Sequence, residues 1–267
     1  MKLWIYGDSF ATDWKVDWGW QRLLAPRLKT SHCYIQACAG TSNEWILKTF
    51  RDDAHEPGDC VIVFLTEPAR QWFFEDEPHL SNLVSILNTA DAADVKEASR
   101  EKYDAVIGYY EHLHRDDLSD LRLQMITDFL RVKGIERQIN LQVIPAFTMN
   151  IDWTDLYPCK GNMTWSICDR EFADCRDIEQ WYGQSIDTRA NHMTAHNHRV
   201  FADLLLERFT KPGAGLLDLE HERFQTGFLK LEHKLTHPGL CEQLVQMAMQ
   251  PGNTIPPQHW PKNNTQD

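Results

Sequence analysis

The chain has 267 residues, 42% of them hydrophobic and 25% charged, enough to bury a real core in one large domain or two small ones. Its 27 basic residues are outnumbered by 39 acids, giving a formal net charge of −12, and they form no cluster, which excludes a nucleic-acid footprint. No apolar run approaches the ~20 residues a spanning helix needs, so no membrane span is expected.

The first element is an apolar run, Leu3–Tyr6, that stops at Gly7-Asp8-Ser9 and resumes with Phe10. Only four apolar residues precede Gly-Asp, too few for the core of a signal peptide. Seven cysteines, odd in number and scattered, fit free thiols in a reducing compartment, so a cytoplasmic location is expected. Trp20, Leu23, Leu24 and Leu28 then make one helical face, and Trp14 and Trp18 stand just before it. A second strand-like run, Cys33–Cys38, leads into the small-residue turn Ala39-Gly40-Thr41-Ser42-Asn43, which opens a helix at Glu44-Trp45-Ile46. The third run, Cys60–Thr66, is followed by Glu67-Pro68-Ala69-Arg70.

Residues 75–137 read as a long, mostly helical insertion or lid, because no Pro/Gly-rich linker brackets them. Within it, Leu118, Leu121, Met125, Ile126, Phe129 and Leu130 are expected to form one apolar face, closed by Gly134. A fourth strand follows at Leu141–Phe147. Near the end, Asn191-His192-Met193-Thr194-Ala195-His196-Asn197-His198 precedes a helical stripe of Val200, Phe201, Leu204, Leu205 and Phe209. Residues 251–267, rich in Pro and Asn, read as a flexible tail behind one domain over 1–250. Strands one, three and four are nearly continuous apolar runs, as in parallel strands covered on both faces. Alternation with helices predicts α/β architecture: a three-layer α/β/α sandwich with a flavodoxin-like parallel sheet.

Ligands in such sheets sit beyond the carboxyl ends of the strands, where Ser9, Gly40, Asn43, Thr66 and Arg70 fall. A serine becomes a nucleophile only beside a base, normally a histidine at neutral pH, and its oxyanion needs N–H donors. Gly40 lets backbone approach closely, and the helix start behind it aims N–H groups outward.

Three stretches resemble the sequence blocks of the SGNH (GDSL-like) hydrolases. Y-G-D-S-F-A at 6–11 is similar to the first block, A-G-T-S-N at 39–43 to the second, and N-H-M-T-A-H-N-H-R-V-F-A-D-L-L at 191–205 to the last. The resemblance covers roughly residues 1–210 and implies the SGNH fold with Ser9 as nucleophile, His192 as general base and the Ser9 and Gly40 N–H groups as oxyanion donors. His198 falls where the family often has a second, non-catalytic histidine. Two departures stand out. The Asn of the family's G-x-N-D block has no counterpart at 65–70, which leaves Asn43, Thr66 or Arg70 to replace it. The orienting acid expected three residues before the histidine is replaced by Arg189, with Asp187 the nearest acid upstream.

The implied activity is that of a serine esterase on small-acyl esters, with O-acetyl groups on carbohydrate suggested by the crowded tryptophans. Asp8 has two readings, a substrate contact or a bond to the turn's own amides. Two alternatives stay open: a metal-dependent hydrolase using His192, His196 and His198, whose H-x-x-x-H spacing lacks the Glu of H-E-x-x-H, and a catalytically weakened SGNH fold that only binds. The esterase reading calls for no cofactor and no metal. Its partner is a small-molecule or carbohydrate ester, with no nucleic acid or membrane.

Overall fold

A computed structural model describes residues 1–13, 19–90, 97–149, 158–163, 193, 195–211 and 215–224. The chain divides into two compact units, one of Met1–Thr12 with Ser31–Tyr157, the other of Asp13–Thr30 with Pro158–Asp267. The expected tail, 251–267, lies outside the described residues.

In the first unit, β1 (Leu3–Gly7), β2 (Cys33–Ala37), β3 (Cys60–Leu65) and β4 (Asn140–Pro145) form one parallel sheet in the order β2-β1-β3-β4. All four stand where the apolar runs predict them, with ends shifted by one or two residues. The register pairs Ile5 with both Ile35 and Ile62, so β1 is central, while β2 is a half-exposed edge. Alternate residues on both faces are buried: Trp4, Tyr6, Val61 and Val63 on one, Leu3, Ile5, Ile62 and Phe64 on the other. This is α/β architecture with a four-stranded parallel sheet.

Two helices cover the first of those faces. α2 (Asn43–Asp52), capped by Ser42 Oγ accepting the Trp45 amide at 3.4 Å, contributes Ile46 and Phe50. α5 (Asp116–Glu136) contributes Leu123, Ile126 and Leu130. α5 is therefore the crossover from β3 to β4 and part of the main core. The preceding α3 (Leu83–Ala90) and α4 (Glu97–His112) have a cluster of their own, with Leu80, Ile86, Ala90, Tyr103 and Val106 buried together.

The expected face of α5 needs correction. Ile126 and Leu130 are buried, but Leu118, Leu121 and Met125 are exposed, and Gly134 is a buried residue inside the helix rather than its stop. The side that packs is Ser119, Leu123, Ile126, Thr127, Leu130 and Gly134, where small residues let the helix lie close to its neighbours.

In the second unit, α1 (Trp20–Arg27) packs against the helix α6 (Ala195–Thr210). Trp20 is buried edge-on to Phe201 with centroids 5.2 Å apart, and Arg27 pairs with Asp203 at 2.7 Å. Val200, Phe201 and Leu205 are buried as the stripe predicts. β5 (Cys159–Lys160) and β6 (Leu217–Asp218) form a short parallel pair. Among the described residues, no helix is long and apolar enough to cross a membrane.

Candidate functional site

Strand order reverses beside β1: β2 lies on one side and β3 on the other, and the crevice of an open α/β sheet forms at the carboxyl ends of such a pair. The chain leaves β1 there through Gly7-Asp8-Ser9. A Cβ on Gly7 would stand 2.7 Å from Phe64 Cβ and 2.9 Å from Ala11 Cβ, so only glycine lets the turn close against β3. The Asp8 carbonyl accepts the Ala11 and Thr12 amides, each at 3.1 Å, and the chain curls into a single helical turn with half-buried Ser9 at its start.

Asp8 is fully buried. One carboxylate oxygen accepts the Phe10 amide at 3.1 Å, and the other accepts the Thr66 hydroxyl at 2.8 Å. Arg70 Nη1 lies 3.8 Å from that second oxygen, too far for a hydrogen bond, with the guanidinium over the Phe147 ring at 5.4 Å. Although the Arg70 side chain is only 14% exposed, its Nε and Nη1 have no hydrogen-bond partner among the described residues.

Asn43, at the first position of α2, holds the end of β3 through both ends of its carboxamide. Nδ2 donates to the Thr66 carbonyl at 2.9 Å and Oδ1 accepts the Thr66 amide at 2.8 Å. One Nδ2 hydrogen is thereby spent on the backbone. Thr66 Oγ1 directs its proton to Asp8. Of the three side chains that could replace the missing block Asn, Arg70 is the one with buried donors still to satisfy.

Gly40 has a left-handed φ of +80°, and a Cβ there would meet the His79 carbonyl at 3.0 Å. Its own carbonyl accepts the Ser81 hydroxyl, and Ser81 is fixed in turn by the Tyr110 hydroxyl on its carbonyl at 2.9 Å. Thr41, next along, buries a hydroxyl with no hydrogen-bond partner among the described residues. No sequence signal marks His79, Ser81 or Tyr110 as supports of Gly40, because their only link to the turn is spatial.

The first unit thus gathers Asp8, Ser9, Gly40, Asn43, Thr66 and Arg70 at the carboxyl ends of β1, β2 and β3. His192 and Asp187, read as base and orienting acid, lie outside the described residues, as does Arg189. His198 is buried and its Nδ1 accepts the Trp20 amide at 3.1 Å; His196 Nε2 lies 2.9 Å from the Arg223 carbonyl. Each of these histidines therefore has one ring nitrogen committed to backbone. Among the described residues, no group of three His, Cys, Asp or Glu side chains is placed to hold a metal.

Of the tryptophans that suggested a sugar platform, Trp20 is in the interior and Trp14 and Trp18 lie outside the described residues. Cys38, Cys60 and Cys159 form no disulfide among the described residues, and burial pushes Cys60 up to about 11 and Cys159 up to about 12. Neither is a thiolate at neutral pH. No family model, curated protein or solved structure matches the chain.

Proposed function

We propose that the chain is a serine esterase of the SGNH (GDSL-like) type, built as a three-layer α/β/α sandwich. The observation that carries this reading is the place of Ser9: it follows β1 at the reversal of strand order, beside two turns that only glycine can make. The order β2-β1-β3-β4 also agrees with the start of the flavodoxin-like order.

In this reading Ser9 Oγ attacks the ester carbonyl carbon while His192 takes the hydroxyl proton. The tetrahedral oxyanion is held by the Ser9 and Gly40 amides. His192 then gives its proton to the leaving alcohol, and a water activated by the same imidazole releases the acyl group from Ser9. Asp187 holds the other imidazole N–H. Asp8 keeps the turn closed through the Phe10 amide and, through Thr66, ties it to the end of β3. Arg70 supplies the positive charge that the absent block Asn would otherwise provide as a dipole. The substrate class is a small-acyl ester, with O-acetyl carbohydrate the first to screen.

A fluorophosphonate tests the reading directly. One label per chain is expected on the wild type and none on Ser9→Ala. An unlabelled wild type, or labelling that survives Ser9→Ala, overturns the esterase and favours a module that binds without turnover. A second result separates the metal alternative: p-nitrophenyl acetate hydrolysis should be unchanged by EDTA.

A further inference from the structure

Helix α5 is apolar on two opposite sides. At ~100° per residue, the buried side of Leu123, Ile126 and Leu130 and the stripe of Leu118, Leu121, Met125, Val132 and Ile135 lie about 160° apart. These five side chains are between 45% and 65% exposed. A crossover helix with a free outer face normally turns charge to solvent there. Here the intervals along the stripe alternate three and four, 118, 121, 125, 128, 132 and 135, which is the a/d spacing of a coiled-coil seam with one polar interruption at Asp128. At Met125 the stripe runs into a largely apolar groove of about 660 Å³ lined by Leu47, Trp72 and Phe129, with the charged Glu44, Lys48, Arg51 and Arg122 also on its walls.

Charge along α5 says what covers the stripe. Its start carries Asp116, Asp117 and Asp120 against Arg115 and Arg122; its end carries Arg131, Lys133 and Arg137 against one Glu136. A second copy laid antiparallel sets each acidic end on the other's basic end, whereas a parallel copy opposes like charges. The antiparallel arrangement also pairs the seam layer by layer: Leu118 with Ile135, Leu121 with Val132, and Met125 with Asp128. We infer that α5 is a self-association surface, on which two copies of this chain pack antiparallel around a two-fold axis between Met125 and Asp128. The contact is isologous, so it closes as a dimer. Asp128 in the seam costs affinity and fixes the register. The inference is independent of the esterase reading.

Sedimentation velocity over a range of protein concentrations tests it. The wild type should pass from monomer to dimer as concentration rises. Leu121→Lys, at an exposed position, should weaken the dimer at least about tenfold with unchanged circular dichroism and unfolding midpoint. Asp120→Lys and Arg131→Glu should each weaken self-association, and an equimolar mixture of the two should restore it, because each variant's altered end then meets its complement. A wild type that stays monomeric at every concentration overturns the inference. So does a dimer indifferent to Leu121→Lys, or a mixture no stronger than its components.

Discussion

Asp59, just before β3, and Asp8, just after β1, are both buried aspartates at the ends of neighbouring strands in one sheet, yet their surroundings differ. Asp59 accepts the Lys2 amide at 2.7 Å on one oxygen, and the Trp4 indole at 3.1 Å and the Glu56 amide at 3.0 Å on the other. Burial alone would raise its pKa, but the Glu56 and Lys2 amides and the Trp4 indole outweigh that and hold it below the usual carboxylate range. At the other end, Asp8 has two donors, Arg70 stands off at 3.8 Å, and Arg70 and Thr41 keep buried polar atoms with no hydrogen-bond partner among the described residues. A saturated carboxylate is structural cement. A carboxylate among unsatisfied groups stands where the proposed function puts the substrate.

The comparison predicts that changes at the carboxyl ends alter activity with little loss of stability, and changes at the amino ends do the reverse. The largest effect belongs to the proposed acid. Asp187→Asn should lower kcat by roughly 10²–10⁴ with an unchanged unfolding midpoint, read on a small-acyl ester. Near-full activity would mean that something other than Asp187 orients His192.

Next comes Arg70→Met. Losing one donor to the developing oxyanion should cost about 10²–10³ in kcat. Replacing a partly paired buried cation with a hydrocarbon of similar length should leave stability nearly unchanged. A large drop in the unfolding midpoint instead would make Arg70 a structural residue and erase the contrast between the two ends.

Asp59→Ala should behave in the opposite way, leaving the buried Trp4 indole without an acceptor at about 1–3 kcal/mol, and the part-buried Lys2 and Glu56 amides to water at a smaller cost. Urea unfolding should show a loss of at least about 1 kcal/mol, while kcat at low denaturant stays within about twofold of wild type, well short of one catalytic interaction.

The last effect concerns pH. His55 lies between the Tyr6 hydroxyl, 2.8 Å from Nε2, and Arg137 Nη1, which donates to Nδ1 at 2.6 Å. Since the Tyr6 hydroxyl also reaches Asp53 at 2.8 Å, it donates to the carboxylate and accepts from His55 Nε2–H. Burial and the Arg137 charge push His55 down to about 4, so it stays neutral in the fold. The unfolded chain takes up that proton near pH 6.5, and stability should fall as pH drops from about 6.5 to 4. His55→Gln should flatten that part of the profile. An unchanged slope would place the acid sensitivity elsewhere.

The strands were legible because each is an apolar run between turn residues, and buried parallel strands require that composition. The turns at Gly7 and Gly40 were legible for a related reason, since glycine between a strand and a helix has few other uses. α5 was half legible. Its periodicity is that of a helix, but with apolar residues on both sides, 118, 121 and 125 combine with 126, 129 and 130 into a plausible false face. Only packing against β3 and β4 identifies the true one. Asn43 and Arg70 were named as site candidates from their places after β2 and β3, but the bonds that set them apart were not legible. The Asn43–Thr66 clamp spans 23 residues, and Asp59 after Gly58 looks like any turn aspartate.

The Asn43 clamp has a consequence for exchange with solvent. Its carboxamide gives and takes one hydrogen bond with the Thr66 backbone, as a neighbouring strand residue would, one position beyond the last residue of β3. The Thr66 amide should therefore exchange with deuterium as slowly as the amides of β3 itself, and open only when the sheet does. In Asn43→Ala that protection should vanish from Thr66 while Val63 keeps its own. The reach of one side chain would then mark where the slow core of this molecule ends.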